Sequence, residues 1–215
     1  MFRLIADLIL RATGETLEMV LASGLISVLG GLPLAVLLIV TAPGGLYPLP
    51  ALSRALALAV DAVRAVPFMI LLVLLIPLTR LIAGTALGTG AAIVPLAIAA
   101  VPYFARIAEV SLREVDQGLV DAVRAMGGTR WMTVRYVLLP EALPGLISGF
   151  TVTLITLVGA SAMAGVIGAG GLGDLAIRYG YQRFNTTVML SVVAVLIVMV
   201  TILQWIGNRL ARRLA

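Results

Sequence analysis

Apolar residues fill five stretches of this chain, at about residues 16–40, 66–82, 91–108, 146–167 and 187–206, with short polar segments between them. Each is close to the roughly 20 residues that a helix needs to cross a bilayer, so the pattern predicts five transmembrane helices in one domain covering residues 1–215. Ahead of the first, Phe2, Ile5, Ile9 and Ala12 recur at helical spacing, while Arg3, Asp7, Arg11 and Glu15 alternate in sign on another face. That pattern predicts an amphipathic helix at the interface rather than a cleavable signal, whose apolar core Asp7 and Arg11 would interrupt. Gly30, Gly31 and Pro33 mark close contact or a kink in the first span. Arg54, Asp61 and Arg64 form a polar approach to the second, which carries Pro67 and Pro77 near its ends. Arg106, Glu109 and Arg113 leave the third as a solvated ion-pair face.

The longest polar interlude, about residues 113–145, is also the most structured. Asp116 is placed to cap a short helix to Met126, with Asp121 early and Arg124 late, as the helix dipole favours. Leu119, Val120, Val123 and Met126 supply its apolar face. Gly127 and Gly128 end it, because glycine takes the left-handed cap conformation at little cost. A second short helix, about 131–138, is expected to stop before Pro140, and Pro144 to restart the chain. The interlude reads as a rigid elbow at a membrane surface.

Composition narrows the class further. At 215 residues, 61% hydrophobic and with a mean hydropathy of +1.15, the chain is too apolar for an ordinary soluble domain. It contains no cysteine, no histidine and no lysine, so it offers no disulfide, no thiolate or imidazole metal site and no Walker A lysine. Any nucleotide chemistry belongs to another protein. The arginines sit at segment ends, which speaks against nucleic acid. With the C-terminus inside, Arg54, Arg64, Arg106, Arg113, Arg124, Arg130, Arg135, Arg209, Arg212 and Arg213 lie inside, and Arg3, Arg11, Arg80, Arg178 and Arg183 outside. Ten against five is the positive-inside bias; it predicts the N-terminus outside and the elbow in the cytoplasm.

Several other features look chemical. Gly168, Gly170 and Gly173 satisfy G-x-G-x-x-G, but without the strand and the distal acid of a dinucleotide site. A flexible extracytoplasmic turn is expected there. In the fourth span, Gly145/Gly149, Ala160/Ala164/Gly168 and Ser161/Gly165 are small residues four apart, pointing to tight packing, with a pathway lining as the other reading. Thr156, Ser161 and Met163 there, with Tyr103 of the third span, are the candidates for such a lining. Met69, Met163, Met189 and Met199 read as packing or lipid-facing residues. No buried carboxylate suggests an ion relay, and an odd span count spoils inverted halves. A stand-alone transporter or channel is therefore the weaker alternative.

The spacing across the elbow resembles the cytoplasmic loop of ABC importer permeases: EAA, three residues, Gly, nine residues, Ile, one residue, Leu-Pro. Asp121, Ala122 and Val123 take the first three places, Gly127 the glycine, Val137 the isoleucine, and Leu139 and Pro140 the end; Met126 and Gly128 flank the glycine. In that family this loop couples to a separate ATPase. Longer stretches, among them RAVPFMILLVLLIPLTRLIAGT from Arg64, RAMGGTRWMTVRYVLLPEALPGL from Arg124 and LITLVGASAMAGVIGAGGLGD from Leu154, resemble the permease subunits of methionine ABC importers. The resemblance implies an all-α membrane protein of type I ABC importer permease fold in the bacterial inner membrane. It further implies a homodimer, two ATPase subunits that bind ATP and Mg, and an extracytoplasmic methionine-binding lipoprotein. The permease itself would hold no cofactor, metal or catalytic group. A dimer also follows from size, since five helices hardly enclose an aqueous path, and spans two to four are expected to contribute most of it. An ABC importer for another small solute is the nearest alternative.

Overall fold

The computed structural model describes the backbone of residues 2–214 and the side chains of residues 5–214. All regular structure among the described residues is helical. Helix α1 spans Phe2–Thr41, α2 Pro50–Ala65, α3 Phe68–Leu74, α4 Ile76–Ala83 and α5 Thr89–Arg113. Then come α6 Gln117–Ala125, α7 Arg130–Thr133, α8 Leu139–Val166, α9 Gly171–Leu175 and α10 Thr186–Leu214. Turns of π-helix at Val134–Leu138 and Ala176–Tyr181 join α7 to α8 and extend α9. Four helical segments are long and apolar enough to cross a membrane, and α2 with α3, bent by 100°, raises the number to five if taken as one broken span.

Three expectations change. The interfacial helix and the first span are one 40-residue helix, about 60 Å long at 1.5 Å per residue. Nothing caps or packs at Gly14 to end it, and Asp7 and Arg11 stay exposed while Ala12 is buried; the side chains of Phe2 and Arg3 lie outside the described residues. The second span is not a single helix. Val66, before Pro67, is extended (ψ 125°), as proline imposes on its predecessor, and Leu75 leaves helical geometry (ψ 0°) just ahead of Pro77. The glycine-rich segment after the fourth span turns over residues 167–170, as expected, but then enters the buried helix α9 rather than staying a loose loop.

Helix α5 is the centre of the bundle. Its buried face is built from small residues (Ala97, Ala100, Ala105, Ala108) around Phe104, and α1 and α8 pack on either side. Gly31 of α1 faces the Val101 carbonyl, and Gly145 and Gly149 of α8 face Ser111 and Ile107. Association among apolar helices relies on such close approach, since lipid tails are as apolar as leucine. Packing is thus the role of these α8 glycines. On α10, Gly207 meets Thr151 of α8, while Leu190, Ile197, Ile202 and Trp205 face outward. Two cores result, one around Met19, Leu96, Leu154 and Leu172, the other at the elbow end around Phe104, Leu112, Val134 and Leu146.

Candidate functional site

The elbow is built largely from its own sequence. Asp116 Oδ1 accepts from the Gly118 amide at 2.7 Å and caps α6. At the other end Gly127 is left-handed (φ +75°), the Gly127 amide donates to the Arg124 carbonyl (3.0 Å) and the Gly128 amide to Val123 (2.9 Å). That is a Schellman closure. Gly128 is held to glycine differently: a Cβ there would run into Val123. Thr129 Oγ1 then accepts from the Met132 amide and caps α7, a role open to reading in the sequence but not assigned above. Arg130 lies over the Tyr47 ring at 4.4 Å, tying the elbow to the loop after α1.

The second short helix does not stop before Pro140. The chain stays helical from Arg130 to Val166, because the π turn absorbs the proline: the Leu139 amide reaches back to Val134, widening the turn where proline lacks a donor and crowds the preceding carbonyl. The elbow is therefore continuous with the fourth span. Its motif residues divide by environment. Asp121, Ala122, Met126, Gly127 and Pro140 are exposed, and Val123, Gly128 and Leu139 are half-buried. Val137 is buried in the inner core with Val120, Val134 and Leu138, so it supports the bend from behind. Asp121 and Arg124 form only an exposed pair at 3.4 Å. The outer surface presents Met126 (78% exposed) and Trp131 (66%), large apolar side chains in water unless another surface covers them.

Behind the elbow, Arg106, Glu109 and Arg113 are more than a solvated face. Glu109 is buried, accepting from Arg106 Nη1 and Arg113 Nη2, each at 2.6 Å. Arg106 also bonds Asp61 of α2 through Nη2 (2.6 Å) and Nε (3.3 Å), and Asp61 takes a longer contact from Arg64 Nη1 (3.3 Å). The network binds α2 to α5.

Next to this network lies a cleft of about 350 Å³ between α2–α3, α5 and α8. Val66, Phe68, Leu71 and Leu157 line it, together with Arg64, Tyr103 and Thr156. The Tyr103 and Thr156 hydroxyls are 3.3 Å apart, and Thr156 also donates to the Val152 carbonyl. The other two pathway candidates are elsewhere. Ser161 is buried, bonded to the Val158 carbonyl at 2.8 Å, and Met163 lies on the Thr156 side of α8 but beyond the cleft, half-exposed. Arg64 is the charged residue of the lining, not among the pathway candidates read from the sequence; its position three residues from Asp61 was the available signal.

At the far end from the elbow, α9 is clamped. Glu15 Oε2 accepts from the Gly171 amide (2.6 Å) and Thr16 Oγ1 from the Leu172 amide (2.9 Å). The helix is packed closely as well: Gly173 lies against the Ala162 backbone of α8, and Gly165 against Gly173 and Asp174.

A five-segment helical bundle with one exposed, twice-capped bend is the architecture of a transporter's membrane subunit. The chain belongs to the family of binding-protein-dependent transport system inner membrane components, whose profile matches residues 31–215. Among curated proteins it is 51% identical to the probable D-methionine transport system permease protein MetI of Vibrio cholerae, over 99% of this chain and 94% of that one. It is 43% identical to the methionine import system permease protein MetP of Bacillus subtilis, covering 80% and 78%. Among solved structures, the MetNI methionine ABC transporter in inward-facing conformations matches with a TM-score of 0.95 at 48% identity, covering 97% of this chain and 96% of the other.

Proposed function

We propose that this chain is the transmembrane permease subunit of an ATP-driven methionine importer. Identity of 51% over 99% of the chain to a permease named for D-methionine transport, and of 43% over 80% to one named for methionine import, carries the substrate. The exposed elbow carries the coupling: Asp121, Ala122, Met126, Gly127 and Pro140 present the docking surface for a partner ATPase, which binds ATP and Mg. Val123, Gly128, Val137 and Leu139 hold that surface in shape. The arginine bias supports an N-terminus outside, a C-terminus inside and the elbow on the cytoplasmic face of the inner membrane. Two copies form the path, with Tyr103 and Thr156 on its wall, and an extracytoplasmic binding lipoprotein delivers the solute. Partner closure on ATP binding moves each elbow as a unit; since α7 and α8 are one helix through the π turn, that motion passes directly into the fourth span.

Reconstitution with a cognate ATPase and binding protein is expected to give ATP-dependent methionine uptake into liposomes. Uptake by the permease alone, or of another solute in preference to methionine, overturns the reading.

A further inference from the structure

The charged network beside the cleft is unbalanced. Three guanidinium groups, Arg64, Arg106 and Arg113, share two carboxylates, Asp61 and Glu109. The commitment is unequal too. Arg106 bonds both carboxylates, Arg113 makes two bonds to Glu109 at 2.6 and 3.1 Å, and Arg64 makes one contact at 3.3 Å. The surplus positive charge therefore resides at Arg64, and Arg64 lines the cleft. An arginine lining a mostly apolar cleft, held by one long contact to a carboxylate that Arg106 already bonds twice, marks a place where an anionic group is met.

We propose that the cleft is a transit site for a free zwitterionic amino acid, with Arg64 receiving the α-carboxylate. The Tyr103 and Thr156 oxygens, 3.3 Å apart across α5 and α8, accept from the ammonium group. Phe68, Leu71 and Leu157 take an unbranched apolar side chain. A cleft of about 350 Å³ is at the lower end of the ~300–1,000 Å³ range of small-molecule sites, enough for one amino acid. The Asp61–Arg106 pair holds α2 in place so that Arg64 faces the cleft; those two are positioning residues. The proposal rests on the importer reading for its substrate, but the carboxylate requirement at Arg64 is separate from it.

The test is equilibrium binding of radiolabelled methionine to the permease–ATPase complex in nanodiscs without binding protein, in competition with methioninamide, which keeps every group but the carboxylate. The wild type is expected to prefer methionine over its amide at least tenfold. Arg64→Gln should collapse the preference to within twofold, and Arg64→Lys should restore part of it. Tyr103→Phe should weaken both ligands together. Equal binding of acid and amide by the wild type, no binding of either, or a preference retained in Arg64→Gln overturns the site. If another amino acid binds with the same carboxylate requirement and methionine does not, the site stands and the methionine reading falls.

Discussion

The chain breaks helix with glycine at both ends of its fourth span, and the two breaks are made in opposite ways. Gly127 at the elbow has no atom near the position of a Cβ, and its turn is closed by amides and carbonyls of its own neighbours, Val123 and Arg124. Gly168, Gly170 and Gly171 are also left-handed, but the helix that follows is capped by Glu15 and Thr16, more than 150 residues away in sequence, and Gly173 is wedged against α8. One turn holds its form from local sequence and offers its surface; the other is held by the fold and offers none. A coupling element that must move as a unit suits the first design. A plug between helices α1 and α8 suits the second.

Substitutions at the two breaks should therefore fail differently. The largest effect is expected at Gly173→Leu, where the added side chain meets the backbone of α8, which has no free rotamer to move. A loss of about 3 kcal/mol or more should appear as a lower melting temperature and poor recovery of folded protein. Glu15→Ala should destabilise by about 2 kcal/mol, because the part-buried Gly171 amide loses a charged acceptor; slower-exchanging amides of α9 should become faster, with the elbow unaffected. Gly127→Val strains the left-handed cap by about 1–2 kcal/mol without a clash. The bundle should melt nearly as before while copurification with the ATPase and transport fall together; unchanged transport would remove the elbow from the coupling role. Asp121→Ala should be the mildest, at most about 0.5 kcal/mol, since an exposed pair contributes little.

The same contrast decides what was readable in advance. The helix cap at Asp116 and the stop at Gly127 are local patterns, and both are found as expected; of the apolar face of α6, Val120 and Val123 turn inward while Leu119 and Met126 stay exposed. Pro140 was not readable as an interior residue, because the compensation is a π turn upstream that no single residue announces. Glu109 was not readable as buried either: its spacing from Arg106 and Arg113 is the same on a wet face, and only the approach of Asp61 on α2 turns that face inward. Ser161 and Thr156 look alike in sequence, yet one is sealed inside the bundle and the other opens on the cleft, since five residues along a helix point to different sides.

By itself, then, the sequence determined the membrane class, the number of apolar segments, the family and the closed geometry of the elbow. Each is encoded in composition or in contacts within about five residues. Tertiary structure alone decided that α9 is clamped by α1, and that Arg64, Tyr103 and Thr156 share one cleft. Those outcomes depend on which helix faces come together, and an apolar helix surrounded by apolar neighbours carries little in its own pattern to say which side turns inward.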